Sequence, residues 1–118
     1  LDAGVRVSLA TDNVPPSLFH PVWHATARIA QETGAPISPE ECVTREEALA
    51  CASREGAYLT FEEDVKGTLE PGKFADIAVL SDDPMTIDEA KIPDITADLV
   101  LTGGRVVYDA ADASNPLS

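Results

Sequence analysis

"VRVSLATDN", residues 5–13, alternates the branched side chains Val5, Val7 and Leu9 with Arg6, Ser8 and Ala10. A period of two is the mark of a strand, whose successive side chains point to opposite faces. The reading is therefore a strand over residues 5–10, with Asp12 just beyond its end and on its even-numbered face if the pleat continues. Asp and Asn commonly close strands, because their side chains bond nearby backbone groups. Taken alone, Asp12 is either a turn residue or a carboxylate placed for chemistry, and the rest of the chain must separate the two.

The stretch before it, "LDAG", reads as a loop closing onto the strand, so the chain is expected to be a piece of something longer. After it, "NVPPSLFHPVWHATARIAQETG" begins as an irregular loop of prolines and Ser17. Pro21 suits the first turn of a helix, with His20 outside that helix. Val22, Ala25, Ile29 and Ala30 then recur near helical spacing, and Gly34 with Pro36 supplies a stop. "TREEALACASREG" opens on a capping box, Thr44 with Glu47, and presents Ala48, Leu49 and Ala52 as a buried stripe. Gly56 ends this helix or kinks it. "EED" at 62–64 is an acidic junction and the candidate domain boundary. Beyond it the texture turns to β: a Pro71-Gly72 turn, an apolar strand from Ile77 to Leu80, and a polar loop "SDDPMTIDEAKIPDI". "DLVLTGGRVVYD" is a hairpin through Gly103-Gly104, the residues that a tight primed turn requires. "AADASNPLS" is a frayed tail.

A βα unit that opens on a strand of this kind needs parallel neighbours to cover both strand faces, and the chain contains none. Hydrophobic residues make up 44% of the 118, enough for a core, while aromatics are only 5%, so that core is aliphatic. Eight Lys and Arg against 21 Asp and Glu give a formal charge of −13. That excess argues against nucleic acid, whose phosphates need a basic face, and against anionic membrane surfaces. No apolar run reaches membrane-spanning length. Cys42 and Cys51 have neither CxxC spacing nor a nearby pair of His ligands, and read as small buried hydrophobes.

In order, four pieces resemble the C-terminal end of a metal-dependent amidohydrolase of the family 3 type, the group of N-substituted formamide deformylase-like enzymes. "GVRVSLATDNVP" resembles the eighth barrel strand with its terminal Asp, and "VTREEALACASREGAYL" the helical segment after it. "KGTLEPGKFADIAVLSDDP" resembles the family's Gly-x-Leu-x-Pro-Gly-Lys-x-Ala-Asp stretch, and "DLVLTGGRVVYD" its terminal hairpin. Asn13 stands where the family commonly has Trp or Ala. The resemblance implies an α/β fold. Residues 1–64 would be the last βα part of a (β/α)8 TIM-type barrel, and residues 65–118 the strands and tail of a small composite β-sandwich.

For function, the resemblance implies a hydrolase of non-peptide carbon–nitrogen bonds, acting on amides, formamides or cyclic amides. A metal-activated water is the nucleophile and Asp12 is the catalytic proton shuttle and a metal ligand. Barrel enzymes place catalytic groups at the C-terminal ends of strands, and a carboxylate there can move a proton from water to the leaving amine. The implied cofactor is a divalent metal, zinc. The family's remaining ligands have no counterpart in this chain, and a zinc site wants three protein ligands, so the chain by itself is expected to hold no tight metal and to be inactive. His20, near the barrel mouth, is a candidate substrate contact. His20 and His24, four apart, could join Asp12 as a metal site, but no Glu follows as in H-E-x-x-H, and His24 reads as structural. Arg28 resembles an arginine common in the subgroup and is expected to pair with a carboxylate; Asp76 is expected to bond backbone.

The implied partners are a small-molecule substrate and either a second copy or the missing part of the protein, with no nucleic acid and no membrane. The implied location is cytoplasmic. A second reading, from another class, is a non-catalytic acidic interaction or scaffold module.

Overall fold

A computed structural model of the chain describes residues 1–12 and 16–112. The loop expected at 13–15 and the tail at 113–118 lie outside the described residues. The elements in order are α1 (Phe19–Ala27), a 3-10 turn (Pro39–Glu41), α2 (Arg45–Ala52), α3 (Arg54–Leu59), β1 (Ile77–Leu80), a 3-10 helix (Glu89–Asp94), β2 (Ala97–Thr102) and β3 (Arg105–Asp109). The chain is mixed α/β, with a three-stranded antiparallel sheet in the order β1-β2-β3.

Residues 5–10 do not form a strand. A strand exists through its ladder, and here the stretch lies against helices: the Leu9 N–H donates to the Cys51 carbonyl at 3.0 Å. Nor does the alternation sort the side chains: Leu9 packs on the core, while Val5, expected on the same face, stays 62% exposed.

Helix α1 also departs from expectation at both ends. It starts at Phe19, so His20 lies inside it at the second position. Pro21 fits at the third because the first four N–H groups of a helix have no internal partner. It stops at Ala27, seven residues before the glycine read as its stop, because Arg28 takes a left-handed conformation (φ 49) while its N–H still donates to His24. From there the chain doubles back. Ile29 pairs with Pro36, and Ile37 N–H returns to the Arg28 carbonyl at 2.7 Å.

The capping box of α2 is complete. The Thr44 hydroxyl accepts from Glu47 N–H at 3.2 Å, and the Glu47 carboxylate accepts from Thr44 N–H at 2.8 Å. The helix breaks at Ser53 rather than at Gly56, which falls inside α3. Of the expected stripe Ala48 is fully buried, Leu49 and Ala52 are half-buried, and Cys51 and Ala57 complete the buried side. Cys42 is exposed, contrary to expectation, and both thiols are free.

Val22 of α1, Ala48 of α2 and Ile92 form the core cluster. Ile92 belongs to the 3-10 helix within the polar loop, and its complete burial is worth roughly 1.5–3 kcal/mol. Arg45 holds the same loop from the start of α2, its Nη1 donating to the carbonyls of Pro84 (3.1 Å) and Ile87 (2.6 Å). The β texture after residue 65 is thus tied to the helices by one apolar plug and one guanidinium clamp. Within the sheet, Gly103 and Gly104 both take positive φ (56 and 78), the requirement of a two-residue primed turn.

Candidate active site

Asp12 closes the stretch it was expected to close. It is exposed and adopts φ 49, a conformation that Asp tolerates better than most residues because its short polar side chain bonds locally. Immediately before it, Leu9, Ala10 and Thr11 form one wall of an open cleft of about 430 Å3. The opposite wall is α1 and the turn beyond it, from which His20, His24, Arg28 and Gln31 line the space.

His20 is half-buried, and its Nδ1 is fully buried without a hydrogen-bond partner. The His24 ring lies against Trp23, centroids 4.7 Å apart and tilted by 54°. Arg28, expected to meet a carboxylate, instead donates its Nε–H to the Ile37 carbonyl at 3.1 Å. The structure therefore brings His20, the expected substrate contact, into the cleft whose opposite wall ends at Thr11, one residue before Asp12. It adds Arg28 and Gln31, which sequence reasoning did not place there. For Arg28 the visible signal was the four-residue step from His20 to His24 to Arg28; Gln31 falls outside that step.

Among the described residues no group of three or more His, Cys, Asp and Glu side chains gathers as a metal site would need.

A second anchor sits behind the stretch that carries Asp12. Glu55 of α3 is buried, with Arg54 Nε donating to one carboxylate oxygen at 2.8 Å. Arg6 Nε lies 2.8 Å from the other oxygen, which still lacks an aligned hydrogen bond, so this contact is one of charge. The Arg6 guanidinium also stacks on Tyr58 at 3.7 Å. Burial, and then the nearby Glu55 charge, push the Cys51 thiol up, which makes it inert at neutral pH. A larger groove of about 670 Å3 opens between α3 and the 66–78 segment, but its carboxylate, Asp76, is occupied by a backbone N–H of the hairpin. It offers packing surface rather than chemistry.

Residues 1–108 of the chain match the amidohydrolase family. The chain belongs to that family. Over 111 residues it is 34% identical to an N-substituted formamide deformylase of Arthrobacter pascens, a match that covers 92% of this chain and 20% of that relative. This amidohydrolase chain thus spans about a fifth of the length of that enzyme. Its fold is similar to the crystal structure of an amidohydrolase from Thermotoga maritima MSB8, with a TM-score of 0.64 and 24% identity, over 92% of this chain and 24% of that one. In this amidohydrolase chain Asp12 follows in sequence the cleft's wall residue Thr11, and His20, whose Nδ1 has no partner, is among the lining residues. No helix among the described residues is long and apolar enough to cross a membrane.

Proposed function

We propose that the chain is the catalytic-aspartate end of a hydrolase of non-peptide carbon–nitrogen bonds, with an amide or formamide as substrate. Residues 1–64 serve as the last βα part of a (β/α)8 barrel, and residues 65–118 as strands of a composite β-sandwich. The observation that carries the reading is the placement of Asp12 at the end of the 5–10 stretch, exposed, and next in sequence to the wall of a cleft lined by His20. In the reaction, water adds to the substrate carbonyl carbon and the carbon–nitrogen bond breaks. Asp12 takes the water's proton and returns it to the departing nitrogen, so that acid and amine leave. His20 contacts the substrate.

The family resemblance implies a divalent metal, zinc. In this chain Asp12 could supply one ligand, and the remainder must come from elsewhere in the protein. The small-molecule substrate follows from the same reading, as does pairing of the exposed stretch with the rest of the protein or with a second copy. Two free thiols suit a reducing, cytoplasmic location.

The test is made on the full-length protein with a panel of N-substituted formamides and amides. Turnover is expected, lost in Asp12→Asn with an unchanged thermal midpoint. Turnover retained in Asp12→Asn overturns the assignment.

A further inference from the structure

We propose that the segment joining β1 to β2 acts, through Ile92, as a spacer that sets the width of the cleft between residues 9–11 and α1, and with it the size of the amide substituent the protein accepts. The proposal rests on the reading of that cleft as the place where the substrate lies. Ile92 touches no substrate; it is a positioning residue.

The first argument is length. β1 ends at Leu80, and β2, its antiparallel neighbour, begins at Ala97. A connection that serves only such a pair takes about two to five residues. Here it is pinched at its neck, where the Ser81 N–H donates to the Thr96 carbonyl at 2.9 Å and the Thr96 N–H to the Ser81 hydroxyl at 3.1 Å. The residues between leave the sheet and reach the helices, and connections of that length are uncommon unless they have a function.

The second argument is what the segment fills. Ile92 is fully buried in the cluster with Val22 of α1 and Ala48 of α2. Ile87 packs on the same cluster, and Arg45 holds the segment by its Pro84 and Ile87 carbonyls. The third is what else rests on the cluster. Leu9 and Ala25 both pack against it and both line the cleft, Leu9 in one wall and Ala25 in the other.

The fourth argument is direction. At about 100° per residue, Val22 falls on the side of α1 opposite His20 and His24, which face the cleft. The Leu9 wall is tied separately to α2, through the Cys51 carbonyl. Close-packed interiors transmit displacement, and neighbours settle in part into a cavity left by a shortened side chain. Volume lost at position 92 thus lets α1 settle away from residues 9–11, and the cleft widens.

The test compares N-methylformamide with N-butylformamide on the full-length protein. Ile92→Ala is expected to raise the butyl-to-methyl ratio of kcat/KM by about fivefold, below the discrimination of one methylene in a fitted pocket, and Ile92→Val by less. Arg45→Gln, which releases the segment without emptying the core, is expected to move the ratio the same way. Ile95→Ala is the control for stability alone, since Ile95 is buried in the same segment but lies outside the cluster. It should lower the thermal midpoint and leave the ratio unchanged. A ratio that neither the Ile92 variants nor Arg45→Gln move, or one that Ile95→Ala moves equally, would overturn the spacer. Should Ile92→Ala fail to fold, Ile92→Val and Arg45→Gln carry the comparison. If the native protein turns over neither compound, the hydrolase reading fails separately. The cleft is then read by labelling of His24 with diethyl pyrocarbonate, mapped by mass spectrometry. Faster labelling in the Ile92 variants, with no change in Ile95→Ala, sustains the spacer; equal rates overturn it.

Discussion

Asp76 and Gly103 meet across 27 residues of sequence, the Asp76 carboxylate accepting the Gly103 N–H at 2.8 Å. Beside this bond, the Gly104 N–H donates to the Ala75 carbonyl at 3.0 Å. The end of the "GTLEPGKFAD" block thus grips the turn of the terminal hairpin, and two stretches that look independent in sequence form one device. Lys73 in the same block donates to the Glu63 carbonyl (2.6 Å) and the Thr68 hydroxyl (2.7 Å). It also pairs with Glu70 at 3.0 Å.

Removing the Asp76 carboxylate should cost about 1 kcal/mol, the net worth of an ordinary hydrogen bond at an exposed site. Asp76→Ala is expected to lose that amount in urea unfolding, and Asp76→Asn, which keeps an acceptor oxygen, clearly less. Equal losses in the two variants would show that the carboxylate acts by charge and not as an acceptor for Gly103.

Gly67 carries a different constraint. Its φ is +94, and a Cβ built there would lie 2.6 Å from the Ala57 Cβ and 3.3 Å from the Arg54 Cα. Gly67→Ala should therefore lose about 1–2 kcal/mol for the left-handed backbone and about 1–3 kcal/mol more for overpacking against α3. Gly72 is the internal control, since its φ is +95 but nothing lies within 4 Å of a Cβ there. Gly72→Ala should show the backbone cost alone. Adding Ala57→Gly to Gly67→Ala should return part of the loss, and no return would mean that the clash is not what matters.

These contacts mark what could be read from sequence and what could not. The Gly103-Gly104 turn and the Thr44–Glu47 box were legible because each is local: its partners lie within a few residues, or its turn type dictates its residue. The strand Ile77–Leu80 was legible from its apolar run, although its partners lie in β2. The 5–10 stretch was not, because pairing is a property of neighbours, and its pattern is met here by helices. The end of α1 was missed because Arg28 does without glycine what glycine does at most helix ends. Ile92 was missed because a polar, Pro-containing loop gave no sign that one side chain would plug the core. In the candidate site the position of Asp12 at the end of the 5–10 stretch could be read from sequence, and so could the nearness of His20 to that end; the structure puts His20 in the cleft lining. Arg28 was visible as a residue but not as a wall of the cleft, which depends on how the chain doubles back after Ala27.

The capping box sets an acid limb to stability. Glu47 is held below the usual carboxylate range, first by the Thr44 N–H and then by the Thr44 hydroxyl. Glu62 is lowered by Lys66 and then Thr60, and Glu70 by Thr68 and then Lys73. A carboxyl whose value falls on folding favours the folded state above its unfolded value, and that contribution is lost as pH drops through the folded one. Stability should hold at neutral pH and decline below the ordinary Glu range. Thr44→Ala should cost about 1 kcal/mol at neutral pH as a lost cap. It should also lessen the acid decline in part, because Glu47 loses the Thr44 hydroxyl but keeps the backbone N–H of residue 44, the larger cause of its lowering. Unfolding midpoints measured from pH 7 to pH 3 check both effects. An unchanged acid slope in Thr44→Ala would sink the linkage.

The 118-residue chain should associate through its uncovered apolar surface. Phe61 is 91% exposed, Leu69 74% and Phe74 59%. Phe61 also holds φ 60, a conformation rare for an aromatic residue. Residues 5–10 pair with no strand, and the order β1-β2-β3 leaves the outer edges of β1 and β3 without neighbours among the described residues. Free edges beside apolar side chains are templates for pairing. The opposing term is the formal charge of −13, which salt screens beyond about 8 Å at 0.15 M ionic strength. At contact distances the apolar and backbone terms should therefore win. Light scattering is expected to show a mass that rises with protein concentration, and more steeply as salt is added. Phe61→Glu with Phe74→Glu should move the balance back toward the monomer by removing apolar area and adding repulsion. A monomer at every concentration and salt level would mean that these faces are quiet alone, since screening the charge would otherwise have released association.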